Sequence, residues 1–428
     1  MNKSSVFLGL AVLLSCPAVL AAPTVNPATV SVVQDGLGDK VTVSYKLADA
    51  EAIVTIDMQT NALANGSGAW ASVGDANLTT FVGDVNRLVA PGTRTACWYP
   101  ARERWIGAEL KNLRAVVRLW PVDAPPDYLV VDLTTTNSLC YYTSEAALPA
   151  GGLANDIYRN SKFALRRIHA AGQTFQMGPS TLELRTYPRS TNKSGYRHLV
   201  SFTNDYYIGV FPVTQGQVHM TTNGTIQGSG SSQPARGEQL ALCFTDLPRV
   251  RGNTAAGSPY DWPDKGHAVD PTSFLGVLRA RTGIEFDLPT DAQWEFACRA
   301  GTDTYWNNGS NDASTVGELA WYGQVGVQYE CSDVGRKKPN AWGLYDMHGL
   351  VWEVCLDWYA EDDSPADGEV AIEPTGPRSS ASGQRIRRGG SYLQQVGDTR
   401  STSREPVNIQ NFSGYNGYRF VAPISLKW

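Results

Sequence analysis

The 428-residue chain is predicted to fold as an all-β N-terminal sandwich of immunoglobulin or fibronectin type, followed by a larger, loop-rich α+β region. Three observations predict this. Short runs rich in β-branched residues recur as far as Tyr142, with turn signals between them. Beyond that point helical periodicity is confined to two segments, while 41 Gly and 24 Pro imply many loops. Hydrophobic residues at 42%, against charged residues at 18%, indicate a chain that buries a core rather than a disordered one.

Taken in order, the first element is an export signal over residues 1–21. Lys3 supplies a positive start, Val6–Leu14 an apolar stretch and Ala18–Ala22 small residues, with cleavage placed after Ala21. The rival reading is a lipobox at Leu13–Cys16 with Cys16 acylated, and Leu14 at its middle position fits poorly. No later run is long and apolar enough to span a bilayer. Residues 23–145 are expected to form the sandwich, with strands at Thr29–Val33, Lys40–Tyr45, Ala52–Ile56, Leu113–Leu119 and Tyr128–Leu133. Asp35-Gly36, Pro91-Gly92 and Pro125-Pro126 mark turns. Residues 146–160, around Leu148-Pro149-Ala150-Gly151-Gly152, read as a linker to a second region over 161–428. Its helices are expected at Phe274–Thr282 and Asp291–Arg299, the latter with Thr290 as N-cap and Asp291 in the first turn.

Charge and cysteine content narrow the function. The net charge of −5 offers no basic face for nucleic acid, and Arg385, Arg387 and Arg388 form too small a cluster to change that. Export would place the cysteines after Cys16 in an oxidising compartment. Cys97 and Cys140 stand apart from the others and are expected to form a disulfide, the alternative being two buried free thiols. No CxxC suggests a redox or zinc motif, and Cys243, Cys298, Cys331 and Cys355 leave their pairing open.

Five strings carry a resemblance. They are Tyr207–Gln215 (YIGVFPVTQ), Asp287–Thr302 (DLPTDAQWEFACRAGT), Lys338–Glu353 (KPNAWGLYDMHGLVWE), Arg388–Tyr392 (RGGSY) and Gly417–Phe420 (GYRF). In that order they resemble the sulfatase-modifying factor family, the formylglycine-generating enzyme domain, over nearly the whole second region. The resemblance implies a C-type-lectin-like fold with little regular secondary structure.

The family's enzymes oxidise a sulfatase cysteine with copper(I) held by two cysteines after the Gly-Gly-Ser string, since a soft cuprous ion prefers thiolates. Counted from Ser391, those positions fall on Gln394 and Thr399, and no cysteine follows Cys355. No copper is therefore expected. A second branch uses iron held by histidines. Here His169, His198, His219, His267 and His348 show no helical metal spacing. The resemblance also implies a calcium site, with side chains from Asp346 and Glu353 and carbonyls from Gly349 and Val351. The alternative is that Asp346 caps a turn and Glu353 pairs with an arginine. Leu350 stands where the family usually has asparagine.

The resemblance further places Trp352 and Ser391 in a groove, which Gln394, Thr399, Arg400 and Arg404 would join. An aromatic platform beside amides, hydroxyls and guanidinium groups suits a peptide or glycan; the alternative is a core tryptophan and surface ion pairs. No P-loop or dinucleotide fingerprint competes, and Gly228–Ser232 reads as a flexible turn. The expectation is a non-catalytic binding or interaction module at the cell envelope, with a peptide, glycan or envelope protein as partner. A divergent oxidase is the competing reading.

Overall fold

The computed structural model describes residues 22–35, 39–63, 66–100, 112–187, 197–224, 241–242, 247–252, 269–323, 332–361, 365, 368–378, 380, 382–408 and 414–424. The expected export signal with Cys16, the expected turn at Gly228–Ser232, His267, Cys243 and Cys331 lie outside the described residues.

Alternation builds the first region. In Val41–Ala48 the buried positions are Val41, Val43, Tyr45 and Leu47, with less buried residues between them, the period of two that a one-sided strand requires. This strand pairs antiparallel with Gly92–Trp98 and Ser31–Gln34. Thr24–Val25 and Val82–Gly83 complete that sheet. Ala52–Asn61 centres a second sheet with Trp70–Ser72, Arg87–Val89 and Leu113–Trp120. Val43, Tyr45, Val54, Met58 and Trp98 share the core between the two sheets.

The strand expected at Tyr128–Leu133 does not continue the sandwich. Tyr128–Asp132 pairs with Leu139–Tyr142 and with Lys162–Ile168, and this sheet runs on through Tyr206–Gly209 to Val421–Pro423. The second region therefore begins between Trp120 and Tyr128 rather than after residue 145. The physical reason lies in burial: Tyr128, Leu129, Val130 and Val131 are all buried, as in a strand covered on both faces. Residues 146–160 are likewise packed rather than a free linker, with Leu148, Leu153 and Tyr158 in the interior. The regions share packing as well as chain. Ile53 lies in the second region's core with Trp120 against it, and Ser144 and Thr143 donate to Asp75.

This redirected strand also explains the cysteines. Cys97 sits on a sandwich strand, whereas Cys140 is carried into the other sheet opposite Val130. The expected disulfide is absent and both are free thiols.

The two expected helices form at Phe274–Thr282 and Asp291–Arg299. The Thr290 hydroxyl accepts from the Gln293 N–H, and the Gln293 side chain accepts from the Thr290 N–H, satisfying two otherwise orphaned donors. Thr214 and Gln217 build the same box on Gln215–Thr222, a helix that sequence reasoning passed over. Among the described residues no helix is long and apolar enough to cross a membrane.

Candidate functional site

The motifs after Lys338 converge on a four-stranded sheet. Trp352–Trp358 pairs antiparallel with Gln384–Arg388 and parallel with Asn416–Gly417, and Arg404–Asn408 forms the edge. In register, Glu353 lies opposite Arg388, which lies opposite Arg404. Val354 lies opposite Arg387, which lies opposite Glu405, and Trp352 is level with Asn416. Because side chains alternate along a strand, charged groups are sorted onto two faces.

One face meets the helix Asp291–Arg299 through buried ion pairs. Asp291 accepts from Arg388 and from Arg404 Nε at 2.7 Å. Burial works against the Asp291 carboxylate, but the two guanidinium groups outweigh it and hold its pKa below the usual range. Glu295 accepts from Arg299 Nε and from the Gly178 N–H, both at 2.9 Å. Glu353 accepts from Arg419 Nη2 at 2.7 Å and from Trp294 Nε1 at 2.6 Å. Arg400 pairs with Glu183 and lies 4.4 Å from the Tyr187 ring. Arg400 and Arg404, expected in a ligand groove, thus brace the interior. Their partners lie 217 and 113 positions away in sequence.

Of the remaining groove candidates, Trp352, Ser391 and Thr399 are buried and Gln394 is half-buried. Ser391 is fully buried, and its hydroxyl donates to the Gln394 amide oxygen, which is no base. The Thr399 hydroxyl donates to the Val396 carbonyl at 2.8 Å and accepts from Trp306 Nε1 at 3.1 Å. The Gly-Gly before Ser391 is required sterically: a Cβ on Gly390 would lie 2.8 Å from the Asp398 carbonyl oxygen.

These residues do not fit copper(I), because an amide and a hydroxyl stand at the positions where thiolates are needed. Cys298 and Cys355 are buried on the ion-pair side. Burial pushes the Cys298 thiol up to about 12 and the Cys355 thiol well above its ordinary value. The calcium set does not fit either. Both Glu353 oxygens are occupied by Arg419, with Trp294 on one of them, which realises the arginine pairing. Asp346 is buried, with one oxygen accepting from the Gly335 N–H at 2.6 Å. Its other oxygen has no partner among the described residues. Burial raises its pKa to about 6. Gly349 is held for steric reasons, since a Cβ there would lie 2.1 Å from the Trp321 carbonyl oxygen. Val351 is buried in an apolar cluster with Leu350. Leu350 has a φ of 63°, a conformation that asparagine adopts more readily than leucine.

His348 is buried and held neutral. The Asn307 N–H donates to Nε2 at 3.2 Å, so Nδ1 carries the proton and donates to the Thr399 carbonyl at 2.6 Å. Burial lowers its pKa to about 4.

The opposite face holds residues that sequence reasoning missed. Arg387 lies 4.9 Å from the centre of the Trp352 ring and 5.5 Å from that of Tyr415. Its Nη1 donates to Asn416 Oδ1 at 2.8 Å and its Nη2 to Glu405 at 2.7 Å. Among the described residues, Trp352 Nε1, Asn416 Nδ2 and Arg387 Nε have no hydrogen-bond partner. The available signal was the period of two in Arg385-Ile386-Arg387-Arg388, which separates Arg387 from Arg388. Elsewhere a cleft of about 880 Å³ is lined by Arg167, Asp205, Arg279 and Asp287, among others. These charges pair with one another, Arg167 with Asp205 and Arg279 with Asp287.

The strand register and the buried ion pairs define a loop-rich domain of the type that the sequence strings suggested. Residues 165–424 match the sulfatase-modifying factor enzyme 1-like domain, and the chain belongs to that family. It is 35% identical over 141 residues to a formylglycine-generating enzyme of Thermomonospora curvata, covering 30% of this chain and 45% of the relative. It is 26% identical over 200 residues to the chaperone protein LppX of Paenibacillus barcinonensis, covering 41% of this chain and 70% of the relative. The chain thus spans less than half the length of the Thermomonospora enzyme. Among solved structures, PvdO from Pseudomonas aeruginosa aligns with a TM-score of 0.45 and 20% identity, covering 61% of this chain and 94% of that one.

Proposed function

We propose that this protein is an exported, non-catalytic binding or interaction module of the sulfatase-modifying factor family, working at the cell envelope. The observation that carries this reading is the donor set after Ser391. Gln394 and Thr399 occupy the positions from which the family's enzymes hold copper, and the Thr399 side chain is locked in internal hydrogen bonds. The thiols of Cys298 and Cys355 are buried and held protonated, which disfavours their service as soft ligands. The apolar stretch at Val6–Leu14 supports export. The N-terminal sandwich, in our reading of immunoglobulin or fibronectin type, serves as a spacer or docking unit. The ligand is a peptide, a glycan or an envelope protein.

The competing reading, a divergent oxidase, draws on the names of the relatives. The mature protein should be incubated with copper(I), oxygen and a peptide containing Cys-x-Pro-x-Arg. The expected result by mass spectrometry is no conversion of the peptide cysteine. Conversion that disappears in Cys355→Ser would overturn the binding-module reading and relocate the copper site.

A further inference from the structure

The cleft of about 880 Å³ reaches the joint between the two regions, because Asp123, on the connection from Leu113–Trp120 to Tyr128–Asp132, is part of its wall. Pockets that take small organic ligands hold roughly 300–1,000 Å³, so this one has room for such a ligand. Its floor is the outer side of the main core: Leu288, Leu356, Ala422 and Ile424 line the cleft and belong to that core. Its wall is lopsided in charge, with five carboxylates against two guanidinium groups. Both cations are already committed. Arg167 donates to Asp205 through Nε and Nη2 and to the Pro125 carbonyl through Nη1. Arg279 donates to the Phe286 carbonyl, to Glu285 and to Asp287, and Asp287 also accepts from the buried Arg251. Asp123 and Glu373 remain, and neither has a cationic partner among the described residues. Glu373 is fixed through one oxygen, Oε1, which accepts from the N–H groups of Thr203 at 2.9 Å and Asn204 at 3.0 Å. Its Oε2 accepts from none of the described residues.

An apolar floor under open, negatively charged acceptors calls for a ligand with an aliphatic stem and a positive donor head. An alkylammonium or alkylguanidinium has that chemistry: the stem covers apolar surface while the head makes charge-assisted hydrogen bonds. The negative charge is spread around the cleft rather than focused on a point. Among the described residues no three Asp, Glu, His or Cys side chains are placed to share a metal ion. We propose that this cleft binds an organic cation with an aliphatic stem, its head drawn by Asp123 and hydrogen-bonded by the open oxygen of Glu373. The proposal rests on the binding-module reading and gives it a site and a ligand class. The cation is supplied either by a lysine or arginine side chain of a peptide or by a free amine.

The test is calorimetric titration of the full mature protein at low ionic strength with pentylammonium chloride and with the blocked peptide acetyl-Ala-Lys-Ala-amide. Pentanol and acetyl-Ala-Gln-Ala-amide are the neutral controls. The expected result is saturable binding of at least one of the two cations and of neither control. Glu373→Gln keeps an oxygen for the Thr203 and Asn204 N–H groups but removes the charge, and binding should weaken about tenfold. Asp123→Asn, on the exposed connection, should weaken it a few-fold. Circular dichroism unchanged from wild type confirms that each variant is folded. Glu318→Gln is the charge-matched control, since Glu318 is 67% exposed and outside the cleft wall, and it should leave binding unchanged. Tighter binding of the lysine peptide than of pentylammonium indicates a peptide side chain, and pentylammonium binding as tight or tighter indicates a free amine. No saturable binding of either cation would overturn the proposal. So would binding that both cleft variants leave undiminished, or an equal loss in Glu318→Gln, which is the outcome for diffuse attraction to an acidic protein. Any of these failures leaves the non-catalytic reading to its own test, since cysteine conversion is measured separately and does not depend on the cleft.

Discussion

Replacing Glu353 by glutamine tests whether this carboxylate is an internal strut or a metal ligand. Glu353 is 1% exposed and Arg419 is fully buried. Arg419 Nε lies 3.1 Å and 2.9 Å from the two oxygens, and its Nη2 lies 2.7 Å from Oε1. Trp294 Nε1 adds a third donor and a fourth contact, at 2.6 Å. Glu353→Gln removes the charge and sets an amide NH₂ against a donor, leaving a buried guanidinium uncompensated. Arg419 retains the carbonyls of Gly209, Val210 and Tyr345, which moderates the loss without supplying a counter-charge. Breaking one side of a buried pair costs about 3–5 kcal/mol, or a fall in melting temperature of about 3–6 °C for a chain of this size. The assay is urea unfolding followed by tryptophan fluorescence, once with a calcium chelator and once with millimolar calcium. The expected loss is the same in both. A loss below about 1 kcal/mol in chelator that becomes large in calcium would refute the argument and restore Glu353 as a calcium ligand.

Three further outcomes follow from the same geometry. His348 has a folded-state pKa of about 4 against 6.5 for the ordinary residue, so the unfolded chain binds the extra proton first. Its contribution is fully present above pH 6.5 and is lost as pH falls through about 4, a change of about 3 kcal/mol that His348→Gln should flatten in a pH series of urea midpoints. Asp346 keeps an unpartnered buried oxygen and its acid form is favoured by burial. Asp346→Asn should therefore raise stability at neutral pH by about 1–3 kcal/mol, and a loss of stability would show that the charge has a partner. Cys97 and Cys140 should both be alkylated in denaturant without reductant, as read by peptide mapping. Protection of the pair would contradict their separation onto two sheets.

What was legible in the sequence was local. Thr290 with Gln293 announces a helix start, and the alternation of Val41, Val43, Tyr45 and Leu47 announces a strand with one buried side. Both signals depend on residues a few positions apart. The partner of a strand is not encoded that way. Tyr128–Asp132 has the composition of a sandwich strand, yet it pairs with Lys162–Ile168, and Cys140 follows it out of the sandwich. Arg400 and Arg404 show the same limit on the scale of side chains. In sequence they are polar groups beside a suspected groove, because nothing local points to Glu183 or Asp291.

The low share of charged residues then gains a structural meaning. A region with short strands and short helices has few backbone ladders to fix its loops. Here Arg388 and Arg404 share Asp291 and tie the sheet to a helix, while Arg419 grips Glu353 and three carbonyls, adding side-chain ties where the strands are short. An arginine near the family's motifs is for that reason a poor marker of a ligand site in this chain unless its donors are left over. By that criterion Arg419 belongs to the frame, while Arg400, paired with Glu183, keeps one buried nitrogen, Nη2, without a partner among the described residues. Arg387 differs, because the strand alternation that turns Arg388 inward toward Asp291 turns Arg387 toward Trp352 and Asn416. There its Nε joins two other N–H groups that the folded chain does not satisfy.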